Sequence, residues 1–288
     1  KWRLLNIRNR FGHGRHNRNK RQSAQNRPPE SGSGRGLKSF HTHIRLKNLS
    51  FIVASSIIYF MANTDASIVI LEDVHKSFVM GKEAVPALRG VSLEVRRSEV
   101  LCMMGPSGSG KTTLLNIVGG LDTPSRGHVT VDGANVVTLN EEKLARLRLT
   151  RMGFVFQNLN LLSSFTALEN VQVPMVLLGN NNPKRARELL GLVGLSDRMT
   201  HYPSELSGGQ QQRVAIARAM ANEPPLIIGD EMTGDLDTTT SFEVMELLVK
   251  LNKERGTTIV YVTHDPRMSK FAHRVINMRD GKMVDDGA

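Results

Sequence analysis

From residue 68 onward, short apolar runs alternate with stretches of helical period. Ile68-Val69-Ile70-Leu71 and Val91-Ser92-Leu93-Glu94-Val95 read as strands, with a turn region near Gly81 between them. Glu99 to Met104 reads as a short buried strand, and Thr113 to Val118 as the first turns of a helix. After Gly119-Gly120-Leu121-Asp122 and a turn at Pro124–Gly127 comes a strand, His128–Val131, that closes at Asp132-Gly133. Glu141 to Arg151 is a charged amphipathic helix leading into a buried strand, Gly153–Gln157. Residues 158–205 are predominantly helical, including Thr166–Met175 and Lys184–Val193, and carry few strand signals. That shift predicts an inserted helical subdomain at about 158–216. Beyond it, the pattern predicts a helix over Gln211–Ala221 and an apolar strand ending at Asp230-Glu231. A helix over Ser241–Glu254, with Phe242, Met245, Leu248 and Leu251 on one face, and a strand over Thr258–Thr263 follow. The whole is an α/β pattern.

The chain has 288 residues, enough to bury a full α/β core. Its net charge of +11 suggests nucleic acid until the charge is located. Residues 1–60 hold 13 Lys and Arg against one acid, Glu30, whereas the remainder holds 25 against 26. The folded part is near neutral, so the basic balance implies no nucleic-acid partner for it. A single cysteine, Cys102, excludes internal disulfides, and its place in a buried strand predicts an inert thiol.

Residues 1–66 read as a basic, disordered extension preceding a domain over 67–288. Two readings of it compete: an Arg-rich organelle presequence, or a reading frame extended beyond its start, since the chain opens on Lys1 and its first methionine is Met61. The second is favoured. His13, His16, His41 and His43 lack a cysteine or carboxylate to complete a metal site. The apolar stretch Leu49–Ala62 is shorter than the ~20 residues a membrane span wants.

The chemistry centres on Gly105-Pro106-Ser107-Gly108-Ser109-Gly110-Lys111-Thr112, set between a strand and a helix as a phosphate-binding loop must be. The glycines let backbone N–H groups turn toward a polyphosphate, and the helix N-terminus, with Thr113 in its first turn, adds its positive end. Lys111 would reach the β- and γ-phosphates, and the Thr112 hydroxyl would ligate Mg²⁺. Asp230 can hold Mg²⁺ while Glu231 orients or deprotonates an attacking water. Gln157 is either a turn residue or a contact to Mg²⁺ or water. Ser207 caps a helix whose Gly208, Gly209 and Gln210 form either an ordinary start or a second anion-binding terminus. Phe78 is either core or a platform for a base. His264 is either structural or a γ-phosphate contact.

These residues together resemble the nucleotide-binding domain of ABC (ATP-binding cassette) transporters over 67–288. GPSGSGKT at 105–112 is similar to the Walker A motif, Gln157 to the Q-loop and LSGGQ at 206–210 to the ABC signature. LIIGDE at 226–231 is similar to Walker B with its catalytic glutamate, Gly234-Asp235-Leu236-Asp237 to the D-loop, and His264 to the switch histidine. Phe78 stands where the family has an adenine-stacking aromatic. The segments GGLDTPSRG, GFVFQNLNLL, FTALENVQVPM and DEMTGDLD resemble the lipoprotein-release, macrolide-export and cell-division branch. Met232 departs from the usual Pro, and Asn180-Asn181-Asn182-Pro183 shortens a connection; both are expected near coupling surfaces.

The resemblance implies a P-loop ATPase fold: an α/β core with an antiparallel β subdomain and an inserted α-helical subdomain. It implies ATP and Mg²⁺ as ligands, with a second cassette, expected as a homodimer, closing each ATP between one P-loop and the other signature helix and Asp237. Thr112, Gln157 and Asp230 would serve the Mg²⁺; Glu231, His264, Gln157 and Lys111 would carry catalysis. The partner implied is a separate transmembrane permease, for export or membrane extraction of a lipophilic or peptide cargo. An alternative is a cassette that regulates a membrane partner without transport. The implied location is the cytoplasmic face of a membrane, organellar if residues 1–60 are a presequence. A non-transport cassette of the DNA-repair or translation type would carry a coiled-coil insertion or a second cassette, and neither is in the sequence.

Overall fold

The computed structural model describes residues 67–81 and 83–284. The basic extension, its competing readings, the four early histidines and Leu49–Ala62 lie outside the described residues.

A long antiparallel hairpin opens the described chain, β1 (Ser67–Met80) and β2 (Glu83–Arg96). Both strands outrun the short apolar runs that predict them, because register shifts between β1 and β2 break the alternation that marks a strand in sequence. β3 (Val100–Met104) carries the phosphate loop into α1 (Lys111–Val118). β4 (Arg126–Val131) and β5 (Ala134–Asn135) then join the hairpin as a four-stranded sheet in the order β2-β1-β4-β5.

The rest builds α2 (Glu141–Arg151), β6 (Met152–Val155), α3 (Ala167–Leu177), α4 (Pro183–Leu192) and α5 (Gly208–Ala219). They are followed by β7 (Leu226–Asp230), α6 (Thr238–Arg255), β8 (Thr258–Val262), β9 (Arg274–Arg279) and β10 (Lys282–Val284). The second sheet runs β10-β9-β3-β8-β7-β6 and is parallel except for the β9–β10 hairpin.

Its central strands β3, β7 and β8 are nearly continuous apolar runs because both of their faces are covered. Alternate residues divide between two cores. Val100, Cys102, Ile227, Ile259 and Tyr261 pack with Val171, Leu189, Ile216 and Leu248 from α3 to α6. Leu101, Met103, Ile228, Val260 and Val262 pack instead with Leu114 and Ile117 of α1 and with Val69, Leu71 and Val129 of the antiparallel sheet. Burial pushes the Cys102 thiol up to about 11, as an inert core residue requires.

Candidate nucleotide site

The loop over 105–112 is fixed by contacts that only glycine permits. Gly105 has φ +145°, and a Cβ there would stand 2.1 Å from the Met278 carbonyl oxygen of β9. Gly110 has φ +101°, and its Cβ would stand 2.6 Å from the Ala87 carbonyl oxygen of β2. The β9–β10 turn clamps the loop from behind: the Gly281 N–H donates to Ser109 O (3.1 Å), and the Arg89 N–H donates to Gly281 O (2.9 Å). Pro106, Ser107 and Gly108 form its exposed crest, and Ser109 is buried beneath them. Lys111 is buried; its Nζ donates to the carbonyls of Gly105 (2.8 Å) and Pro106 (2.9 Å). Burial lowers its pKa, against the opposing pull of Glu231 and Asp230. Gly110, in the N-cap position, offers α1 no side-chain acceptor, so the first-turn amides around Thr112 and Thr113 suit an anion.

β3, β8 and β7 are parallel neighbours, so their C-terminal ends share one edge. That brings together residues far apart in sequence. The Thr112 hydroxyl donates to Asp230 Oδ1 at 3.2 Å. Burial and the nearby Glu231 raise the Asp230 pKa, while the Thr112 hydrogen bond and Lys111 pull it down. Glu231 stands just past the strand in the left-handed region, φ +45°, with its N–H donating to Val262 O at 3.1 Å. Its Oε2 lies 2.9 Å from Nδ1 of His264, which follows β8. An oxygen donor pair, Thr112 with Asp230, fits a small hard cation that takes its other ligands from phosphate and water.

Other residues singled out from the sequence take less central places. Gln157 is exposed two residues beyond β6, and its Nε2 faces Gly234, 3.8 Å from the position a Cβ there would take. Phe78 is 42% exposed with Lys76 Nζ 5.0 Å from its ring centroid; of its two readings, core is ruled out. Ser207 and Gln210 form a reciprocal capping box at the start of α5, Oγ accepting from the Gln210 N–H and Oε1 from the Ser207 N–H. Gly208 and Gly209 lie in the first turn rather than before the helix, and a Cβ on Gly209 would stand 2.4 Å from Thr240 Cγ2. Asp237 caps α6, and the Thr240 hydroxyl holds its carboxyl below the usual range. Among the described residues no hydrogen bond or ion pair joins Ser207–Gln210 to Lys111, Asp230, Glu231 or His264.

Met232, expected near a coupling surface, is itself a buried residue. It is 4% exposed, and its side chain fills the space above Gly229 that a Cβ would occupy. Asn182 caps α4 and Asn181 accepts from Gln172 Nε2, so the asparagine tract is a built helix entry. The sequence reading missed Met278 and Gly281; the Asp280-Gly281 pair after Val275-Ile276 was the available hairpin signal.

Residues 88–234 match the family model for ABC transporters. ABC transporter H family member 2 of Dictyostelium discoideum is 49% identical over 77% of the chain, and the macrolide export ATP-binding/permease protein MacB of Syntrophobacter fumaroxidans is 49% identical over 73%. The matched parts span only 44% and 30% of those two relatives. The dimeric post-hydrolysis structure of the ATP-binding cassette MJ0796 (Methanocaldococcus jannaschii) bound to ADP and Pi superposes with a TM-score of 0.71 at 44% identity, covering 75% of this chain and 97% of that one. With its phosphate loop, paired carboxylates and LSGGQ helix in place on this fold, the chain belongs to the ABC transporter family as an ABC ATPase of the macrolide-export-like branch.

Proposed function

We propose that this cassette hydrolyses ATP at a seam between two copies and thereby powers a separate membrane permease. The observation that carries the reading is the single sheet edge on which Lys111, Thr112, Asp230 and Glu231 meet His264. Among the described residues no hydrogen bond or ion pair ties the LSGGQ helix terminus to that edge, which supports its serving a second copy. The dimeric relative at 44% identity supports the same arrangement.

In this reading Lys111 exchanges the Gly105 and Pro106 carbonyls for the β- and γ-phosphates, and the amides of 107–113 cradle them. Phe78 stacks on the base. Thr112 and Asp230, with Gln157, would hold Mg²⁺, which supplies charge neutralisation on the phosphate oxygens. The Glu231 carboxylate takes the proton of the attacking water. His264 fixes the Glu231 oxygen through Nδ1 and leaves its other ring nitrogen for the γ-phosphate. Ser207–Gln210 and Asp237 of the second copy close the site from the opposite side.

The permease would dock where the helical subdomain, about 158–216, meets the core. A groove of about 370 Å³ opens there, lined by Leu121, Leu149, Phe154, Phe156, Pro174 and Arg218. Phe154 and Phe156 stack in it with centroids 5.5 Å apart, and Leu177 and Leu178 are exposed on α3 and just beyond it. Among the described residues no helix is long and apolar enough to cross a membrane, which fits a peripheral subunit on the cytoplasmic face. The kinship with MacB, whose name pairs ATP-binding and permease, favours export or membrane extraction of a lipophilic or peptide cargo.

Light scattering of the Glu231→Gln protein tests the seam. Mg²⁺-ATP should double its mass and ADP should not; a monomer with ATP, alone and with its membrane partner, would overturn the proposal.

A further inference from the structure

Arg218 sits in the last turn of α5, where an arginine ordinarily points to water or to the helix's own carbonyls. Here the guanidinium reaches across to the segment that follows Gln157. Its Nη1 donates to Asn160 O and its Nη2 to Leu159 O, each at 2.6 Å. Among the described residues no carboxylate pairs with it. Burial lowers its pKa and no acid offsets the shift.

The two acceptors are unusual in themselves. Leu159 and Asn160 both have φ +48°, a region that costs a bulky residue such as leucine free energy and an asparagine less. The segment is tied upstream by the Leu159 N–H donating to Phe156 O. Downstream it is tied by Asn170 of α3, whose side chain bonds both the N–H and the carbonyl of Leu162. Between those ties Arg218 supplies the side-chain contacts to the two left-handed carbonyls. Lys would reach them with one point charge; only the planar fork spans both in a fixed geometry.

We propose that Arg218 is a positioning residue that locks the loop beginning at Gln157 to the helix beginning at Ser207. Movement of α5, pushed at its N-terminus by nucleotide on the second copy, then displaces the Leu159 and Asn160 carbonyls and with them Gln157. Because Arg218 also lines the permease groove, a segment seated there acts on the same strut. The inference rests on the proposed two-copy site.

The test uses the whole cassette and five variants: Arg218→Lys, Arg218→Met, the Arg218→Lys form with Leu159→Gly and Asn160→Gly, Glu231→Gln, and Arg218→Lys in the Glu231→Gln background. Arg218→Lys should lower kcat about tenfold with KM for ATP within about twofold, and raise the Mg²⁺ concentration for half-maximal rate, because a loop ångströms out of place affects the transition state more than binding. Arg218→Met should be worse in the same direction. The two glycines should return part of the lost kcat, since glycine enters φ +48° without the Cβ penalty that Leu159 pays there. The Glu231→Gln form should still pair on ATP. Unchanged kcat, or a loss of kcat that tracks melting temperature and ignores the glycines, would overturn the positioning role. Failure of Glu231→Gln to pair with Arg218 intact would instead overturn the two-copy reading beneath it.

Discussion

His264 Nδ1 lies 2.9 Å from Glu231 Oε2, although 33 residues separate them. The contact exists because β7 and β8 are parallel neighbours and each ends at the same edge. A carboxylate fixed by an imidazole keeps one oxygen oriented for water. Glu231→Gln should keep ATP binding and lower phosphate release about 10²–10⁴-fold, the usual worth of a general base. His264→Ala should fall in the same range, and the double variant should be no worse than either single one, as residues acting as a unit are non-additive. Phosphate release beside a nucleotide-binding assay decides it; multiplied losses would mean the two act separately.

Asp230 and Lys111 give the site a predicted pH profile. The Asp230 carboxyl is raised mainly by burial and the Lys111 ammonium is lowered mainly by burial. With Asp230 as the proposed Mg²⁺ ligand, its carboxylate gains a proton as pH falls through the raised value, and Mg²⁺-ATP affinity should drop by up to about tenfold per unit. This acid limb should begin above the ordinary aspartate range. As pH rises through the lowered Lys111 value, the ammonium is lost and affinity falls again, earlier than for an ordinary lysine. Thr112→Val removes the hydrogen bond that opposes Asp230's upward shift, so the acid limb should move to higher pH, while Thr112→Ser should leave it in place. Binding titrations across pH read both limbs; a profile unmoved in Thr112→Val would refute the assignment.

How much of this was legible follows from where each signal lies. The phosphate loop, β7 with its two acids and β8 with its histidine are local: each is a buried run ending at a chemical residue, so period and residue type suffice. The helix over Glu141–Arg151 has the predicted bounds because Asn140 caps it and its charges match the dipole. The outer half of the β1–β2 hairpin was not legible, since its shifts erase the alternation. Nor was the pairing of β9 with β3, which places Met278 O against Gly105. That contact joins residues far apart in sequence, and no window along the chain holds both. Arg218 escaped for the same reason, its partners Leu159 and Asn160 lying in a segment far upstream.

The Met278 contact makes two glycines of one loop unequal. Gly108 has φ +78° with open space around a Cβ, so Gly108→Ala should cost about 1–2 kcal/mol of backbone strain alone. Gly105→Ala must also displace the β9 carbonyl, adding about 1–3 kcal/mol of overpacking. Denaturant unfolding without nucleotide should therefore rank Gly105→Ala as the less stable by at least about 1 kcal/mol. Equal losses would mean that the strand β9 yields to the loop.

Gly229 and Met232 are a matched pair beside the proposed catalytic edge. A Cβ on Gly229 would stand 2.3 Å from Met232 Sδ, and Met232 is buried. Gly229→Ala forces the thioether out of its seat, an overpacking of about 1–3 kcal/mol that a stiffer strand residue offsets only in part. Met232→Ala leaves a cavity worth about 2–5 kcal/mol. Together the new methyl occupies some of the emptied space, so the double variant should be more stable than the sum by about 1–2 kcal/mol, a coupling that unfolding of all four proteins measures. Met232 follows Glu231, whose left-handed backbone aims its carboxylate at His264. Hydrolysis should accordingly recover in the double variant relative to Gly229→Ala, because the methionine no longer has to be pushed against the turn that holds the proposed base, Glu231. A double variant as unstable as the sum would show the two residues to be independent.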